Sequence, residues 1–540
     1  MLTNKIHIPL RQVIGLLTLA FTGFCQQSYA QSVDTVFHID SETFLKRQYI
    51  QSSNPIGLEF WDNRKFSELA INYSKENGEL RNYFHSNNSY TYAANIQSVA
   101  RIDKHTVVSG QVDYSHFHGK NMGGSNFIDP YAMPFDLLDF SENTEGSKGL
   151  ELYHLHGGIS HRLKQDWLLG AKIDYTTGNY TKFKDLRHVN KLLDVELSLG
   201  LGKQIGRATM GLNYIHNRRV ESIMHTVEGS SEGLYTSFIS YGNFLGYKLL
   251  ATQYGTYINL GNAMPLADIQ NGVGAQVYLQ LGPQILWSNE FQYHTGSGYY
   301  GDKDRIHYSK HQTTAYVYAG EVLYNLNQNA YLMNIDVNYD KLVNIENVLK
   351  EYTQGTGASY IEVIAEKEVL SREYLQGKIS LSAHLNTQEQ HLPKWILGID
   401  GTYSKRDQMV TLFPNYRKQV LNMQHITGYI KRNYRKNNQL YQLKYQTGIH
   451  AGNGNKYTEG LMSSSGTSTD VVYSFDRFLN QEYEYLTATR FVNSIDLAFH
   501  TRIRSFLPFV NLQYSNQFIR KPTFIGKNRH IVQITIGTHL

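Results

Sequence analysis

The chain has 540 residues, of which 41% are hydrophobic and 18% charged, and its net charge is +5 from 51 Lys and Arg against 46 Asp and Glu. This balance, without a concentrated basic stripe, argues against a nucleic-acid-binding protein. No run of 18 or more apolar residues occurs, which excludes a helical membrane protein. The apolar residues are also too many and too evenly spread for a disordered chain.

The first 30 residues have the pattern of a secretory signal peptide. Lys5 and Arg11 supply a basic start, an apolar core follows, and Ser28-Tyr29-Ala30 resembles a cleavage site, so the mature chain is expected to begin at Gln31. A lipoprotein signal with Cys25 as the lipidated residue is the alternative, but a phenylalanine precedes this cysteine where a small residue is expected. Cleavage after Ala30 removes the only cysteine and leaves no disulfide.

Residues 31–66 precede the first predicted strand. One short helix is expected over 41–51, with Ser41 as its N-cap. Sequence position alone does not decide whether this segment is a hatch inside the molecule or a periplasmic lead-in, and both readings stay open.

Alternation with period two dominates the rest of the chain. In residues 193–201 every odd position is leucine or valine, and every even position is Asp, Glu, Ser or Gly. Residues 167–175, 331–339 and 375–385 alternate in the same way. Such runs predict β-strands with one apolar and one polar face, since a helix would require apolar residues three and four positions apart.

The connections between these strands alternate between short and long. Eight short turns are predicted at 102–105, 164–166, 204–207, 282–284, 325–330, 387–393, 436–438 and 503–507. Long segments are predicted at 119–148, 221–270, 301–310, 342–369, 411–417 and 453–480. Short turns at one end and long loops at the other are typical of outer-membrane barrels. With a first strand at 68–75 and a last at 529–540, the sequence predicts an all-β, antiparallel up-and-down barrel over 67–540, of about 18 strands (range 14–18).

Aromatic spacing supports a membrane location. Trp167 and Tyr175, Tyr331 and Tyr339, and Trp395 and Tyr403 are each eight residues apart on one strand face. Eight residues span ~26 Å along a strand, or roughly 20 Å once the strand is tilted, close to the ≈25 Å between the aromatic girdles of such barrels. These six residues are predicted to form the two girdles, in keeping with the 41 tyrosines of the sequence.

Several stretches resemble known barrel families. Asn54-Pro55-Ile56-Gly57-Leu58 resembles an Asn-Pro-Ala-Gly-Leu segment of several outer-membrane barrels, among them the long-chain fatty-acid transporter family. Residues 71–83, 129–163 and 168–202 are similar to an uncharacterised family of Gram-negative outer-membrane barrels, a domain of unknown function often encoded beside TonB-dependent receptors. The resemblance implies the fold and an outer-membrane location, and it supplies no substrate and no functional residue.

Charged residues and histidines on the polar strand faces are the candidate functional residues. The positions predicted to line the lumen are Asp113, His154, His156, Lys172, Asp174, Asp194, Glu196, Glu290, Asp336, Lys378, Asp400, Lys444, Arg490 and Asp496. Acidic residues outnumber Lys and Arg eight to four in this set, which predicts a polar, mildly cation-favouring lumen or a charge-paired interior of a closed barrel.

Two His-x-His pairs are candidate metal ligands. His116 and His118 follow an outward face, whereas His154 and His156 point inward, so the pairs cannot converge on one tetrahedral metal ion. No metal or cofactor is expected. The apolar and aromatic residues within 221–270 predict a loop that folds over the mouth or binds a partner.

The sequence therefore predicts an outer-membrane channel or transport component for a small polar or amphipathic solute, accessory to a TonB-dependent uptake system. The alternatives are a non-conducting barrel that docks a surface receptor or lipoprotein through aromatic loops, and a lipid-modifying enzyme at the rim that uses His116 or His118. We expect no enzymatic activity and no nucleic-acid partner. The expected partners are outer-membrane lipid and lipopolysaccharide, together with a TonB-dependent receptor or a surface lipoprotein.

Overall fold

The computed structural model describes residues 51–61, 65–141, 143–228, 235–253, 255–302, 306–353, 359–387, 392–462, 471–504 and 506–540. The proposed signal peptide, the lipoprotein alternative at Cys25 and all but the last residue of the helix expected over 41–51 lie outside these residues.

The described chain is almost entirely β-structure. In chain order the strands are β1 (Phe66–Asn77), β2 (Asn88–Arg101), β3 (Thr106–Met122), β4 (Asp136–Asp139), β5 (Gly146–Arg162), β6 (Trp167–Lys182), β7 (Arg187–Ile205), β8 (Ala208–Thr226), β9 (Thr236–Ser240), β10 (Leu245–Leu250), β11 (Ala263–Gln280), β12 (Ile285–Gly301), β13 (His307–Leu326), β14 (Asn329–Thr353), β15 (Ser359–Leu385), β16 (Trp395–Leu412), β17 (Asn415–Lys436), β18 (Gln439–Leu461), β19 (Tyr473–Ser474), β20 (Arg490–Thr501), β21 (Leu507–Ile519) and β22 (Asn528–His539). The helical elements are α1 (Asp476–Thr487) and two short 3-10 helices, Pro55–Phe60 and Lys164–Asp166. In the part of the chain that the structure describes, no helix has the length and hydrophobicity needed to cross a membrane.

Eighteen of the strands form one closed antiparallel sheet. β1 pairs with β2 on one side and with β22 on the other, so the first and last strands close the barrel. The remaining four, β4, β9, β10 and β19, form a separate small sheet. The predicted all-β barrel and its 18 strands are confirmed.

The alternation of side chains explains the negative mean hydropathy of −0.42. On β7, Leu197, Leu199 and Leu201 are 43%, 61% and 45% exposed on the outer surface, while Ser198 between them is 1% exposed on the inner side. An apolar exterior on a closed barrel, in which every backbone polar group has a strand partner, is the structure that crosses an outer membrane. The protein is an outer-membrane barrel.

Strand connections follow the predicted pattern at one end and depart from it at the other. Each of the eight predicted short turns falls between two barrel strands, and we refer to this end as periplasmic. At the opposite, extracellular end, the segment 342–369 that was expected to be a loop is strand over most of its length, because β14 runs to Thr353 and β15 begins at Ser359. Likewise β8 extends to Thr226, and β18 extends to Leu461.

The long β14–β15 hairpin extends past its neighbours. β13 pairs with β14 no further than Glu346, and β16 pairs with β15 only from Leu370 onward. Beyond those residues the two strands pair with each other as a two-stranded ribbon, up to Thr353 and Ser359. The ribbon therefore projects past the extracellular rim.

Candidate functional site: the lid, the inner segment and the lumen

Three extracellular connections fold into the barrel mouth and form a lid. We define the lid as β4, β9, β10, β19 and α1 with the chain that joins them to the barrel. Its strands pair in the order β4-β9-β10-β19, although they come from connections more than 90 residues apart. The predicted aromatic segment within 221–270 supplies buried side chains to this lid, including Phe238, Ile239 and Tyr241, each 0% exposed.

An apolar core joins the lid to the inner wall at the extracellular end. Phe135, Leu137 and Ile239 of the lid belong to one buried cluster with Tyr300 and Val410 of the wall. The rings of Phe135 and Tyr300 are 5.1 Å apart in an edge-to-face arrangement. Burial of this size fixes the lid as part of the folded structure.

Buried charged groups add further contacts between lid and wall. Lys182 of β6 forms an ion pair with Asp139 of β4, and both side chains are at most 2% exposed. Arg406 of β16 binds Glu482 of α1 through two hydrogen bonds of 3.1 and 2.9 Å. Arg417 of β17 donates to the carbonyl oxygen of Asn243 at 2.8 Å. The lid is thus held at separate points around the wall by charged groups. Water could solvate these groups if the lid moved away from the wall.

A cavity of about 380 Å³ lies between the lid and strands β14–β17. Its charged lining residues are Asp129, Asp136, Asp340, Arg372, Arg406 and Glu482. Tyr83, Tyr131 and Tyr374 add aromatic rings, and methionine and phenylalanine side chains complete the lining. The volume lies within the usual range of small-molecule sites.

Burial shifts the pKa values of an aspartate and a histidine in the extracellular connections. Burial raises the pKa of Asp136 to about 7, although the hydroxyls of Ser125 and Tyr83 donate hydrogen bonds of 2.6 and 2.9 Å that favour its charged form. Burial, with Arg529 as the largest charge contribution, lowers the pKa of His85 to about 4. His85 is therefore neutral at physiological pH, whereas Asp136 is close to its titration point.

Residues 51–61, which we call the inner segment, lie against the inner wall near the periplasmic end. Ser198 of β7 donates to the carbonyl oxygen of Ser53 at 2.8 Å, and Gln276 of β11 donates to the hydroxyl of Ser52 at 2.7 Å. Arg101 of β2 donates to the carbonyl oxygens of Glu59 and Trp61 at 2.7 and 2.8 Å. The segment is therefore inside the barrel over the residues that the structure describes.

Glycines of the wall leave the space in which the inner segment lies. A Cβ on Gly200 would be 2.0 Å from Oδ1 of Asn54, and one on Gly170 would be 2.8 Å from the backbone nitrogen of Ile56. A Cβ on Gly202 or on Gly211 would come similarly close to the Ile56 side chain. Asn54 caps the 3-10 helix by accepting a hydrogen bond from the Ile56 N–H at 3.2 Å. The Asn54–Leu58 motif is thus fitted to a glycine-lined surface.

Five of the predicted lumen residues form one network on β3, β5 and β6. His154 contacts Asp113 at 2.8 Å and Asp174 at 3.3 Å, while His156 contacts Asp174 at 2.9 Å. Lys172 lies 3.2 Å from the same Asp174 carboxylate. These inward side chains satisfy one another, as a charge-paired interior would.

The other predicted lumen residues are distributed around the wall. Glu290 accepts a hydrogen bond from the backbone N–H of Ser53 at 3.2 Å, and Asp194 accepts one from Asn217 at 2.8 Å. Register places Glu196 opposite Asp174, Asp336 opposite Lys378, Asp400 opposite Thr427 and Lys444 opposite Asp496. Arg490 donates to the carbonyl oxygen of Tyr485 at 3.1 Å, just below α1. A role in solute passage stays a prediction for all of them.

The predicted girdle residues lie at two levels of the wall. Trp167 and Trp395 are the first residues of β6 and β16, and Tyr331 is the third residue of β14. Lys203 and Arg432 lie over the two indole rings, 4.9 and 4.2 Å from their centroids. Their partners Tyr175, Tyr339 and Tyr403 follow eight residues later on the same strands. The interfacial role of the six residues remains a prediction.

Neither histidine pair forms a metal site among the described residues. Over those residues no group of three or more His, Cys, Asp or Glu side chains is arranged to hold a metal ion. His116 contacts Glu151 at 3.4 Å, and the His118 ring stacks on Tyr90 with centroids 5.3 Å apart. Neither His116 nor His118 is hydrogen-bonded to a serine in the described part of the chain, whereas Nε2 of His156 lies 3.2 Å from the hydroxyl oxygen of Ser109.

Sequence reasoning missed the residues that line the cavity beneath the lid. Arg372, Arg406 and Asp340 lie outside the predicted loops and were given no role, and Glu482 belongs to a helix that was not predicted. The only signal was the density of aromatic residues in the segment expected to cover the mouth.

Comparison with solved structures gives distant similarities to outer-membrane receptors and transporters. The outer-membrane transporter YddB from Escherichia coli has 6% identity, 88% coverage of this chain, 81% coverage of that chain and a TM-score of 0.40. The alcaligin outer-membrane receptor FauA from Bordetella pertussis has 9% identity, coverages of 87% and 76%, and a TM-score of 0.39. The ferric preacinetobactin receptor BauA from Acinetobacter baumannii has 6% identity, coverages of 88% and 80%, and a TM-score of 0.39.

No curated protein matches the sequence significantly. A family does: residues 55–540, from the inner segment through all 18 barrel strands, match a family of unknown function named DUF6850. This span agrees with the sequence resemblance to an uncharacterised barrel family. The chain belongs to DUF6850.

Proposed function

We propose that this barrel is a gated channel or transport component for a small polar or amphipathic solute. The proposal rests on how the lid closes the extracellular end of the barrel. An 18-strand wall with a charged inner face is closed by a lid that forms its own sheet and is bound to the wall partly through ion pairs such as Lys182–Asp139 and Arg406–Glu482. A domain of this kind can move without breaking any strand pairing of the barrel.

The proposal includes an accessory role beside a TonB-dependent uptake system. It is supported by the family resemblance and by a barrel too wide for side chains alone to fill. The alternative, docking through aromatic loops, is weakened because Phe238, Tyr241 and Phe244 are buried in the lid. A stable complex with a TonB-dependent receptor, recovered after mild detergent extraction of native membranes, would support the accessory role, and its absence would count against it.

Conductance of the purified full chain in planar bilayers tests the channel. We expect a mostly closed baseline with short openings, and frequent openings in Lys182→Met, which removes the cation that binds Asp139. Because acidic side chains outnumber basic ones in the predicted lumen set, the reversal potential in a salt gradient should indicate cation preference. A barrel that stays silent both as wild type and as Lys182→Met would refute the proposal.

A further inference from the structure

The cavity beneath the lid contains an arginine that forms no ion pair and an aspartate that accepts no hydrogen bond among the described residues. We propose that it binds a zwitterionic α-amino compound, an amino acid or short peptide with an apolar side chain. The inference rests on the proposed transport function, for which it names the class of solute.

Arg372 is the cation. It lies on β15 and, among the described residues, its one hydrogen bond runs from Nη1 to the carbonyl oxygen of Met133 at 3.2 Å. No described carboxylate lies within 4 Å of its guanidinium nitrogens. A guanidinium has five N–H donors in a fork that matches a carboxylate, so most of the binding capacity of Arg372 remains for a ligand.

Asp340 on β14 is the anion. The register pairs Leu342 with Arg372 and Asp340 with Tyr374, which makes Asp340 and Arg372 diagonal neighbours on the inner wall, with Cα atoms ~7–8 Å apart. Over the described chain the Asp340 carboxylate accepts no hydrogen bond. The two charges attract each other from beyond ion-pair distance. A ligand with its own carboxylate and ammonium group would bridge them.

The other charged groups of the cavity are already bound within the protein. Glu482 is held by Arg406. Asp136 accepts hydrogen bonds from two hydroxyls, and Asp129 accepts one of 3.0 Å from a backbone N–H. This leaves Arg372 with unused donors and Asp340 with unused acceptors among the described residues, which suits the carboxylate and the ammonium group of one zwitterion.

The remaining surface suits a short peptide. Met133, Phe135 and Met423 form an apolar side, and about 380 Å³ accommodates a compound the size of a dipeptide. Nε of Arg406 and Oδ1 of Asn243 are buried without a hydrogen-bond partner among the described residues. They offer one donor and one acceptor, the pair that a peptide group requires.

Titration calorimetry of the detergent-solubilised full chain with leucyl-phenylalanine tests the site. We expect saturable binding, at least tenfold weaker binding of both N-acetyl-leucyl-phenylalanine and leucyl-phenylalanine amide, and at least tenfold weaker binding of the free dipeptide to Arg372→Gln and Asp340→Asn. The matched controls are Lys341→Gln and Glu373→Gln, which remove an ion pair of 3.3 Å from the opposite face of the same two strands, and they should bind as wild type.

The pattern across ligands separates a lost contact from a misfolded protein. Asp340→Asn should no longer distinguish the free dipeptide from its N-acetyl form, and Arg372→Gln should no longer distinguish it from the amide. Equal binding of all three ligands to wild type, absence of binding at millimolar dipeptide, or equal losses in the control variants would overturn the site. Calorimetry requires no open pore, so binding by a silent barrel would contradict only the transport function, whereas conductance without binding would contradict only the site.

Discussion

The lid is fixed to the barrel wall by an apolar core and buried ion pairs, whereas the inner segment combines a close fit to glycines with hydrogen bonds and with ion pairs from Glu59 to Arg101 and Arg162. The lid contacts wall charges such as Lys182 and Arg406, and each loses an oppositely charged partner if the lid leaves. The inner segment instead places Asn54 and Ile56 where Gly200 and Gly170 have no side chain. The Lys182–Asp139 and Arg406–Glu482 contacts depend on charge, while the fit of Asn54 and Ile56 against the wall glycines depends on side-chain volume.

Breaking the Lys182–Asp139 pair should have the largest effect. Lys182→Met leaves the Asp139 carboxylate buried without its cation, and we expect the lid to lose about 3–5 kcal/mol of docking free energy. Hydrogen exchange of β4 and β9 amides should accelerate while that of the barrel strands does not. The double variant Lys182→Met/Asp139→Leu removes both charges and should recover most of the protection. Equal protection in wild type and single variant would show that the ion pair does not hold the lid.

Adding one methyl group should displace the inner segment without affecting the lid. In Gly200→Ala the new Cβ would lie 2.0 Å from Oδ1 of Asn54, and overpacking of this kind costs about 1–3 kcal/mol. Protease sensitivity of residues 51–61 should rise. Gly401→Ala is the control, because nothing lies within 4 Å of its Cβ position. Similar proteolysis of the two variants would contradict the proposed fit.

The lid alone should respond to pH. Burial raises the pKa of Asp136 from 3.8 to about 7, so the folded lid binds more protons than the open lid between those values. Lid stability should therefore fall as pH rises from about 4 to 7 and change little above that range. His85, with its pKa lowered to about 4, stays neutral over most of this interval.

Limited proteolysis of the lid at pH 5.5 and pH 8 measures this response. Wild type should be cut faster at pH 8, and Asp136→Asn, which keeps the shape and removes the ionisation, should be cut at nearly equal rates. The inner segment should show no matching change. An unaltered pH response in Asp136→Asn would assign the effect to another group.

The smallest expected effect is on the barrel wall, and it provides a baseline for the effects on the lid and the inner segment. Trp167→Leu removes an indole that is 37% exposed and lies under Lys203, and we expect the barrel to lose at most ~1 kcal/mol. In lipid bilayers, Trp167 fluorescence should be quenched more by bromine near the headgroups than by bromine at the bilayer centre. Stronger quenching from the centre would contradict the girdle.

The barrel could be predicted because the membrane imposes a local pattern. Alternation such as that of 193–201 arises because one strand face contacts lipid. It is therefore a local pattern, and the strands and their eight short turns can be recognised from short stretches of sequence. The ribbon of β14 and β15 was missed because it leaves the membrane and because register shifts after Asn344 and Val348 interrupt the alternation.

The lid and its cavity depend on contacts that are distant in sequence. β9 and β10 lie in the same connection. β9 pairs with β4, which comes from an earlier connection, and β10 pairs with β19, which follows β10 by more than 220 residues. No local pattern encodes such pairing. In the sequence, the glycines around the inner segment look like ordinary polar-face positions. Only the structure shows that Asn54 and Ile56 occupy the space that a side chain at these glycines would need.

The inner segment occupies one side of the lumen, and this has a consequence for flow. Its described hydrogen bonds reach β2, β5, β7, β8, β11 and β12, while across the barrel a cavity of about 270 Å³ lies beside His384, Tyr429 and Lys444. Residues 51–61 therefore occupy one flank of the lumen and do not span its cross-section. Under the proposed channel function, they act as a resistance beside the current path, whereas the lid acts as a resistance in series with it.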